Sequence, residues 1–243
     1  MEQTSKELTI GAFFPCYNEK KAVLYSIERL YTIYENIPCY LVSDGGDDFS
    51  FLEERFKNLK YERDENKRGK VTILDHYIEG LDREKYAEDA IYSFLGRIKR
   101  SIEHCKTDYI LVMEPDVLVN GKLNIPNDSI LLGTLINPFE EPGIHNLISE
   151  YGGKPFNRYG ATPAIFRSKE FTEAYEFILA NNDFIRRACE ILPPVAYSDI
   201  LLPLIFSLKG HSETFNPDIV ECMRNHGWRD QNKPLVHQFK DYY

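Results

Sequence analysis

The sequence lacks the features that mark secreted, membrane-spanning and nucleic-acid-binding chains. Its five cysteines, Cys16, Cys39, Cys105, Cys189 and Cys222, are odd in number and far apart, with no Cys-x-x-Cys pair. That pattern argues against a zinc ribbon or a disulfide frame and for a reducing compartment, the cytoplasm. No apolar stretch approaches the roughly 20 residues of a bilayer span. The opening Met-Glu-Gln-Thr-Ser-Lys-Glu has neither the basic region nor the apolar core of a signal peptide. Cations are in the minority: 29 Lys and Arg against 38 Asp and Glu give a formal net charge of -9. A nonspecific grip on nucleic acid or anionic lipid is therefore disfavoured, and an anionic substrate would need local cations. Repeats, low-complexity tracts and interdomain linkers are all missing. What remains, 243 residues with 43% hydrophobic and 28% charged, fits one large α/β domain or a core with a small appendage, and a single domain over 1–243 is the expectation.

The apolar residues set out that domain. Residues 109–113, Tyr-Ile-Leu-Val-Met, form a short uninterrupted run, the mark of a strand buried on both faces of a parallel sheet. Residues 8–14 form a second run ended by Pro15, and residues 39–43 a third. Between the last two, Val23, Ile27, Leu30 and Tyr34 recur at helical spacing, with Asn18 placed to cap that helix and its end expected near 36–38. Strand, helix, strand is a βαβ unit, so these strands open on one edge of a mostly parallel central sheet flanked by helices. Further helices are expected over 51–59, 86–104, 171–180, 182–192 and 198–208, with Gly210 stopping the last, and strands over 130–137 and 164–167. Residues 61–83 are charged around Lys67-Arg68-Gly69-Lys70, with 71–74 the only strand-like piece. That stretch reads as a solvated surface or as a flap carrying cations for phosphates. Residues 140–162, rich in Gly, Pro and Asn, read as a long loop over the site.

Two acids follow the central strand at once. Glu114 and Asp116 flank Pro115, which has no N–H to donate and so ends the ladder where they begin. Ligands of open α/β sheets bind beyond the carboxyl ends of strands. Like charges there repel unless a cation joins them, and a hard divalent ion, Mg²⁺ or Mn²⁺, would relieve the repulsion and hold a phosphate-bearing substrate. The plainer alternative is a solvated turn.

Phe14-Pro15-Cys16-Tyr17-Asn18-Glu19 after the first strand, and Val42-Ser43-Asp44-Gly45-Gly46-Asp47 after the second, resemble the opening of nucleotide-sugar glycosyltransferases of the GT-A fold, the family 2-like group in particular. That group carries Pro-x-Tyr-Asn-Glu, then Val-Asp-Asp-Gly-Ser-x-Asp, then an Asp-x-Asp metal motif where this chain has Glu114-Pro115-Asp116. The resemblance spans about half the chain and implies a Rossmann-like α/β fold, with residues 1–120 binding the nucleotide sugar and 121–243 the acceptor. It implies transfer of a sugar from a UDP- or GDP-sugar to a glycan or other hydroxyl acceptor, with Mn²⁺ or Mg²⁺ as cofactor. Pro15, Tyr17, Glu19, Asp44, Gly45, Arg97, Glu114 and Lys240 would hold the donor, Asp44 accepting from a pyrimidine edge. Asp116 is the expected metal ligand. Glu114, one methylene longer than the family's Asp, is the departure.

The segment Pro234-Leu235-Val236-His237-Gln238-Phe239-Lys240 is similar to a late His…Lys pair that completes the metal shell in several GT-A enzymes, with His226 as a rival histidine. Tyr197-Ser198-Asp199-Ile200-Leu201 resembles the Glu-Asp-x-Asp-Leu region holding the general base, and only Asp199 of the family's acid pair remains; helix capping is the alternative there. Arg158, Tyr159 and Trp228 are acceptor-side candidates, since aromatic faces stack on sugar rings. Two other readings compete. A sugar-nucleotide nucleotidyltransferase would carry a glycine-rich loop after the first strand, and residues 13–18 contain no glycine. A nucleotide- or glycan-binding module that lost catalysis is compatible with Glu114 and the missing second acid.

Overall fold

The computed structural model describes residues 8–43, 45–64, 83–135, 137–160, 162–192, 197–221 and 232–237. The N-terminal βαβ unit is present as β1 (Ile10–Cys16), α1 (Lys20–Ile33) and β2 (Cys39–Ser43), with β1 and β2 parallel. Next come α2 (Phe51–Arg55) and β3 (Leu59–Arg63), which pairs parallel with β2. The expected helix over 51–59 is thus one and a half turns followed by a strand. Only Leu59 of Leu-Lys-Tyr-Glu-Arg is buried, so this edge strand has no apolar run to announce it.

Helix α3 (Arg83–Cys105) leads into the central β4 (Tyr109–Val112) and the short β5 (Leu118–Val119). The strand expected over 130–137 is shorter, β6 (Leu131–Gly133), because the chain leaves the sheet at Thr134 and Leu135 takes a left-handed φ of 49°. It resumes as β7 (Asn137–Pro138). The stretch 140–162 is no simple loop: it holds α4 (Pro142–Glu150) and β8 (Arg158–Tyr159), the latter paired with β7. Pro142 stands in the first turn of α4, where its missing N–H costs nothing, and Glu141 accepts from the Gly143 amide. Ile144, Leu147 and Ile148 supply the buried stripe. The remaining elements are β9 (Ala164–Arg167), α5 (Ser168–Ala180), α6 (Phe184–Ile191), α7 (Tyr197–Ser207), β10 (Thr214–Phe215), β11 (Ile219–Glu221) and β12 (Leu235–His237).

Seven strands form one sheet in the order β10-β6-β9-β4-β1-β2-β3, all parallel except β9, which runs antiparallel to both β4 and β6. Alternation along β1 sends Phe13 to one face and Ala12 and Phe14 to the other. Phe13 joins a core built with Ile91, Leu95 and Ile98 of α3 and the aromatic cluster of Phe166, Phe171 and Phe206. Ala12 and Phe14 join Val23, Ile27 and Leu30 of α1. Burial on both faces is why β1, β2 and β4 read as continuous apolar runs. Among the described residues no helix is long and apolar enough to cross a membrane. The segments 67–70 and 71–74, with Asp44, His226, Trp228 and Lys240, lie outside the described residues.

Candidate metal and nucleotide site

Parallel pairing brings the carboxyl ends of β1, β2 and β4 to one edge, and Glu114 and Asp116 follow β4 there. Val117 donates its N–H to the Glu114 carbonyl at 3.0 Å, closing a tight turn with Pro115 at its second position. The buried Ser26 hydroxyl of α1 donates to the Val117 carbonyl at 2.7 Å and fixes the exit of that turn. The chain continues into β5, which pairs antiparallel with β12 through Val119 opposite Leu235 and Leu118 opposite Val236. One residue further along this register, His237 faces Val117, next to Asp116. Two segments about 120 residues apart in sequence (compare Asp116 and His237) meet for this reason.

His237 Nε2 lies 3.4 Å from Glu114 Oε2 and 3.6 Å from Asp116 Oδ1. The three ligand atoms all lie within 4.8 Å of one another. The 3.4 and 3.6 Å separations match neighbouring ligands around a single ion at ~2.1 Å from each. The burial is graded: His237 is 7% exposed, Asp116 16% and Glu114 40%. An imidazole and a carboxylate thus sit at the floor, with a second carboxylate at the rim open to a ligand. Two carboxylates with one imidazole nitrogen form a donor set that suits Mn²⁺ better than the all-oxygen preference of Mg²⁺.

The first two strand-end loops are clasped together beside this cluster. Asp47 donates its N–H to the Tyr17 carbonyl at 2.7 Å, and the Ser43 hydroxyl donates to the Asp47 carbonyl at 2.9 Å. Gly45 has φ 71°, a conformation that favours glycine, and a Cβ on Gly46 would stand 1.9 Å from the Tyr17 carbonyl oxygen. The glycines therefore serve the turn and the loop-to-loop approach. The helix cap is not Asn18: Glu19 occupies the N-cap of α1 with φ 71°, without a side-chain cap hydrogen bond. A non-glycine residue held left-handed at such a place stores strain. Pro15 and Tyr17 are half-buried, Asn18 and Glu19 exposed. Gly46→Ala is expected to force the two loops apart and cost roughly 1–3 kcal/mol as an overpacking change against backbone. Urea denaturation, with nucleotide titration of the folded fraction, checks this.

Arg97 is fully buried in α3 and donates through Nε and Nη2 to Asp64 Oδ2 at 3.0 and 2.8 Å. Asp64 follows β3 and gives its N–H to the Ser43 carbonyl at 2.8 Å, so the ion pair braces the ends of β2 and β3.

Because β9 is antiparallel to β4, the chain enters it from the same edge, through a cis Thr162–Pro163 bond. Arg158, exposed, and Tyr159, half-buried against Phe139 with 6.1 Å between ring centroids, precede that entry on β8. Asp199 is exposed in the first turn of α7, which packs on α5 and β8.

Sequence reasoning missed Glu213. This residue is 7% exposed, and its carboxyl accepts from the Gly160 amide at 2.9 Å, with the Leu135 amide as a second, weaker influence on it. Burial pushes it up to about 7, against the opposing pull of those two amides. Set in the polar string His211-Ser212-Glu213-Thr214, it carries no signal of burial.

No protein-family model matches the sequence, and no curated protein sequence matches it significantly. Solved structures do match in fold. The galactosyltransferase LgtC in complex with donor and acceptor sugar analogs superposes with a TM-score of 0.55 at 12% identity, covering 93% of this chain and 86% of that one. An active-site mutant of LgtC gives a TM-score of 0.54 at 10% identity with the same coverage. At such identities the likeness speaks to architecture, and the chain has a GT-A-like fold.

Proposed function

We propose that the chain is a metal-dependent glycosyltransferase, a single GT-A-like domain that moves a sugar from a UDP- or GDP-sugar to a glycan or other hydroxyl acceptor. The observation that carries this reading is the convergence of Glu114, Asp116 and His237 at the carboxyl end of the central strand. Those three side chains would hold Mn²⁺ or, less well, Mg²⁺. When bound there, the ion supplies Lewis-acid stabilisation for the charge that grows on the leaving diphosphate as the sugar's C1–O bond breaks.

The chain's own residues do the rest. Pro15, Tyr17, Glu19 and Gly45 form the clasped loops against which the nucleoside lies, with Asp44 between them in sequence. Arg97 acts by bracing β2 and β3 through Asp64. Arg158 and Tyr159 offer a cation and a ring to the acceptor, and Asp199 takes the proton of the attacking hydroxyl. Lys240 keeps the donor-side role the resemblance implies and Trp228 its acceptor-side role as an aromatic face for a sugar ring, while His226 stays the rival to His237 for the metal. The four described cysteines are buried and form no disulfide with one another, which supports a cytoplasmic setting. Partners are the donor and the acceptor, with neither nucleic acid nor a membrane span involved.

A panel of UDP- and GDP-sugars assayed for nucleotide release tests the reading. One donor class is expected to be hydrolysed with Mn²⁺, more slowly with Mg²⁺ and not with EDTA. Metal-independent nucleotide binding with no turnover of any donor would favour the binding module instead.

A further inference from the structure

We infer that Glu213 is a positioning residue of the acceptor side, its carboxyl setting the two loops that meet at the far part of the catalytic edge. This rests on the transferase reading for its functional consequence and on geometry for its structural one.

The register places the loops. Val112 pairs with Ala164 and Leu132 with Ile165, so Gly133 lies level with Val112 across β9. The two strands therefore end level on one edge, two strand spacings apart, roughly 10 Å, and Thr134 and Leu135 leave β6 there as Met113 and Glu114 leave β4. The turn after β6 and the approach to β9 thus border the same edge as the metal cluster. Glu213 joins them: its carboxyl accepts from Gly160, directly after Arg158 and Tyr159, and lies against Gly133 at the end of β6, within the influence of the Leu135 amide.

The surroundings are shaped to admit that carboxyl. A Cβ on Gly133 would stand 1.8 Å from Glu213 Oε1, and one on Gly160 would stand 2.6 Å from it and 2.5 Å from the Thr134 amide. The Thr134 backbone therefore requires glycine at 160, and glycine at 133 leaves room where the carboxyl passes. Leu135 is held left-handed, at φ 49°, a conformation that persists in a non-glycine residue only where its surroundings impose it. This strained residue follows directly on the β6 end that the Glu213 carboxyl packs against. Glu213 Oε1 and Thr134 Oγ1 are buried without a hydrogen-bond partner, so the carboxyl is not a fully satisfied structural anchor. It keeps an acceptor whose protonation changes how firmly the loops are tied.

Among the described residues no charged side chain figures in the environment of Glu213 as a cause of its shifted titration; the titratable residues nearest in sequence on the elements it joins are Arg158 and Tyr159 on β8 and His211 on its own segment, with none on the β6 end or the Thr134–Leu135 turn. With burial raising its titration to about 7, Glu213 favours the fold in its neutral form. Its contribution is complete below the ordinary carboxyl range and is lost as the pH rises through about 7.

The test uses two variants of the whole chain. Glu213→Leu keeps the bulk and removes both acceptors, whereas Glu213→Gln keeps one carbonyl acceptor and cannot ionise. In Glu213→Leu, native-state hydrogen exchange at the Gly160 amide is expected to accelerate at least about tenfold, the loss of its hydrogen bond, with a smaller acceleration at the Leu135 amide. Acceptor KM should rise by on the order of tenfold while affinity for UDP with Mn²⁺ stays within about twofold. Glu213→Gln should restore acceptor KM but lack the transition near pH 7 expected of the wild type in both acceptor KM and thermal midpoint. Unchanged exchange at both amides in Glu213→Leu overturns the inference, whether or not the chain is a transferase. So does a wild-type transferase whose acceptor KM is the same in Glu213→Leu. Failure of the wild type to turn over any donor would instead strike the functional reading and leave the exchange result to decide the role of Glu213.

Discussion

Asp116→Ala is expected to reduce metal-dependent donor hydrolysis by on the order of 10²–10³-fold while leaving the fold intact, as loss of a group that stabilises transition-state charge does. Asp116 is the pivot of the cluster. It is mostly buried, it follows a turn closed by Glu114 and Val117, and Ser26 fixes the exit of that turn. It is not free to swing away. Glu114 is more exposed, at 40%, and its longer side chain has more conformations to order before it ligates. Glu114→Ala should therefore cost less than Asp116→Ala, and Glu114→Asp should be tolerated. His237→Ala should weaken Mn²⁺ more than Mg²⁺, because the nitrogen ligand is the part of the set that favours the softer ion. Rates at saturating Mn²⁺, with circular dichroism as the control for folding, separate these cases. Asp116→Ala with wild-type hydrolysis would remove the metal from the proposal.

The second large effect is on stability. Arg97→Ala is expected to destabilise the chain by about 3–5 kcal/mol, because it strands Asp64 beside a cavity where a buried charge pair stood. The guanidinium is fully buried and meets one carboxylate oxygen through two N–H groups. Arg97→Lys should recover only part of the loss, since an ammonium cannot reproduce that fork. Replacing both partners together, as Arg97→Met with Asp64→Leu, should be milder than Arg97→Ala alone, because no charge is then left without its counterpart. Urea midpoints of the four proteins measure this. A change below about 1 kcal/mol in Arg97→Ala would place the pair with exposed ion pairs of little consequence.

How much of this was legible in the sequence follows from what each segment buries. The strands β1, β2 and β4 are covered on both faces, so every position had to be apolar or small and the runs stood out. The strand β3 lies at the sheet's edge and buries only Leu59, which made Leu-Lys-Tyr-Glu-Arg look like surface. Helix α4 was hidden by its own start signals. Pro142 and Gly143 resemble loop residues in isolation, yet Pro at a first turn with Glu141 capping the next amide is how a helix begins. The acids at 114 and 116 and the histidine at 237 were each legible as chemistry after an apolar run, but their meeting depended on β5 pairing with β12, two strands of two and three residues. Strands that short leave almost no periodicity to read. The glycines at 45 and 46 were legible as a turn, whereas their contact with the Tyr17 carbonyl needed the fold. Glu213 was illegible for a different reason: a buried acid in a polar string is specified by the amides it meets, and those come from β6 and β8, more than 50 residues earlier in the chain.

The central claim is that Glu114, Asp116 and His237 hold one divalent ion that in turn holds the donor's diphosphate. Pulsed electron paramagnetic resonance on the complex with Mn²⁺ and UDP reads both halves of it at once. The account predicts a nitrogen coupling from the imidazole that disappears in His237→Gln, together with phosphorus couplings from the diphosphate that persist there. A Mn²⁺–UDP complex on this protein with phosphorus couplings but no nitrogen coupling, unchanged by His237→Gln and by Asp116→Ala, would contradict it.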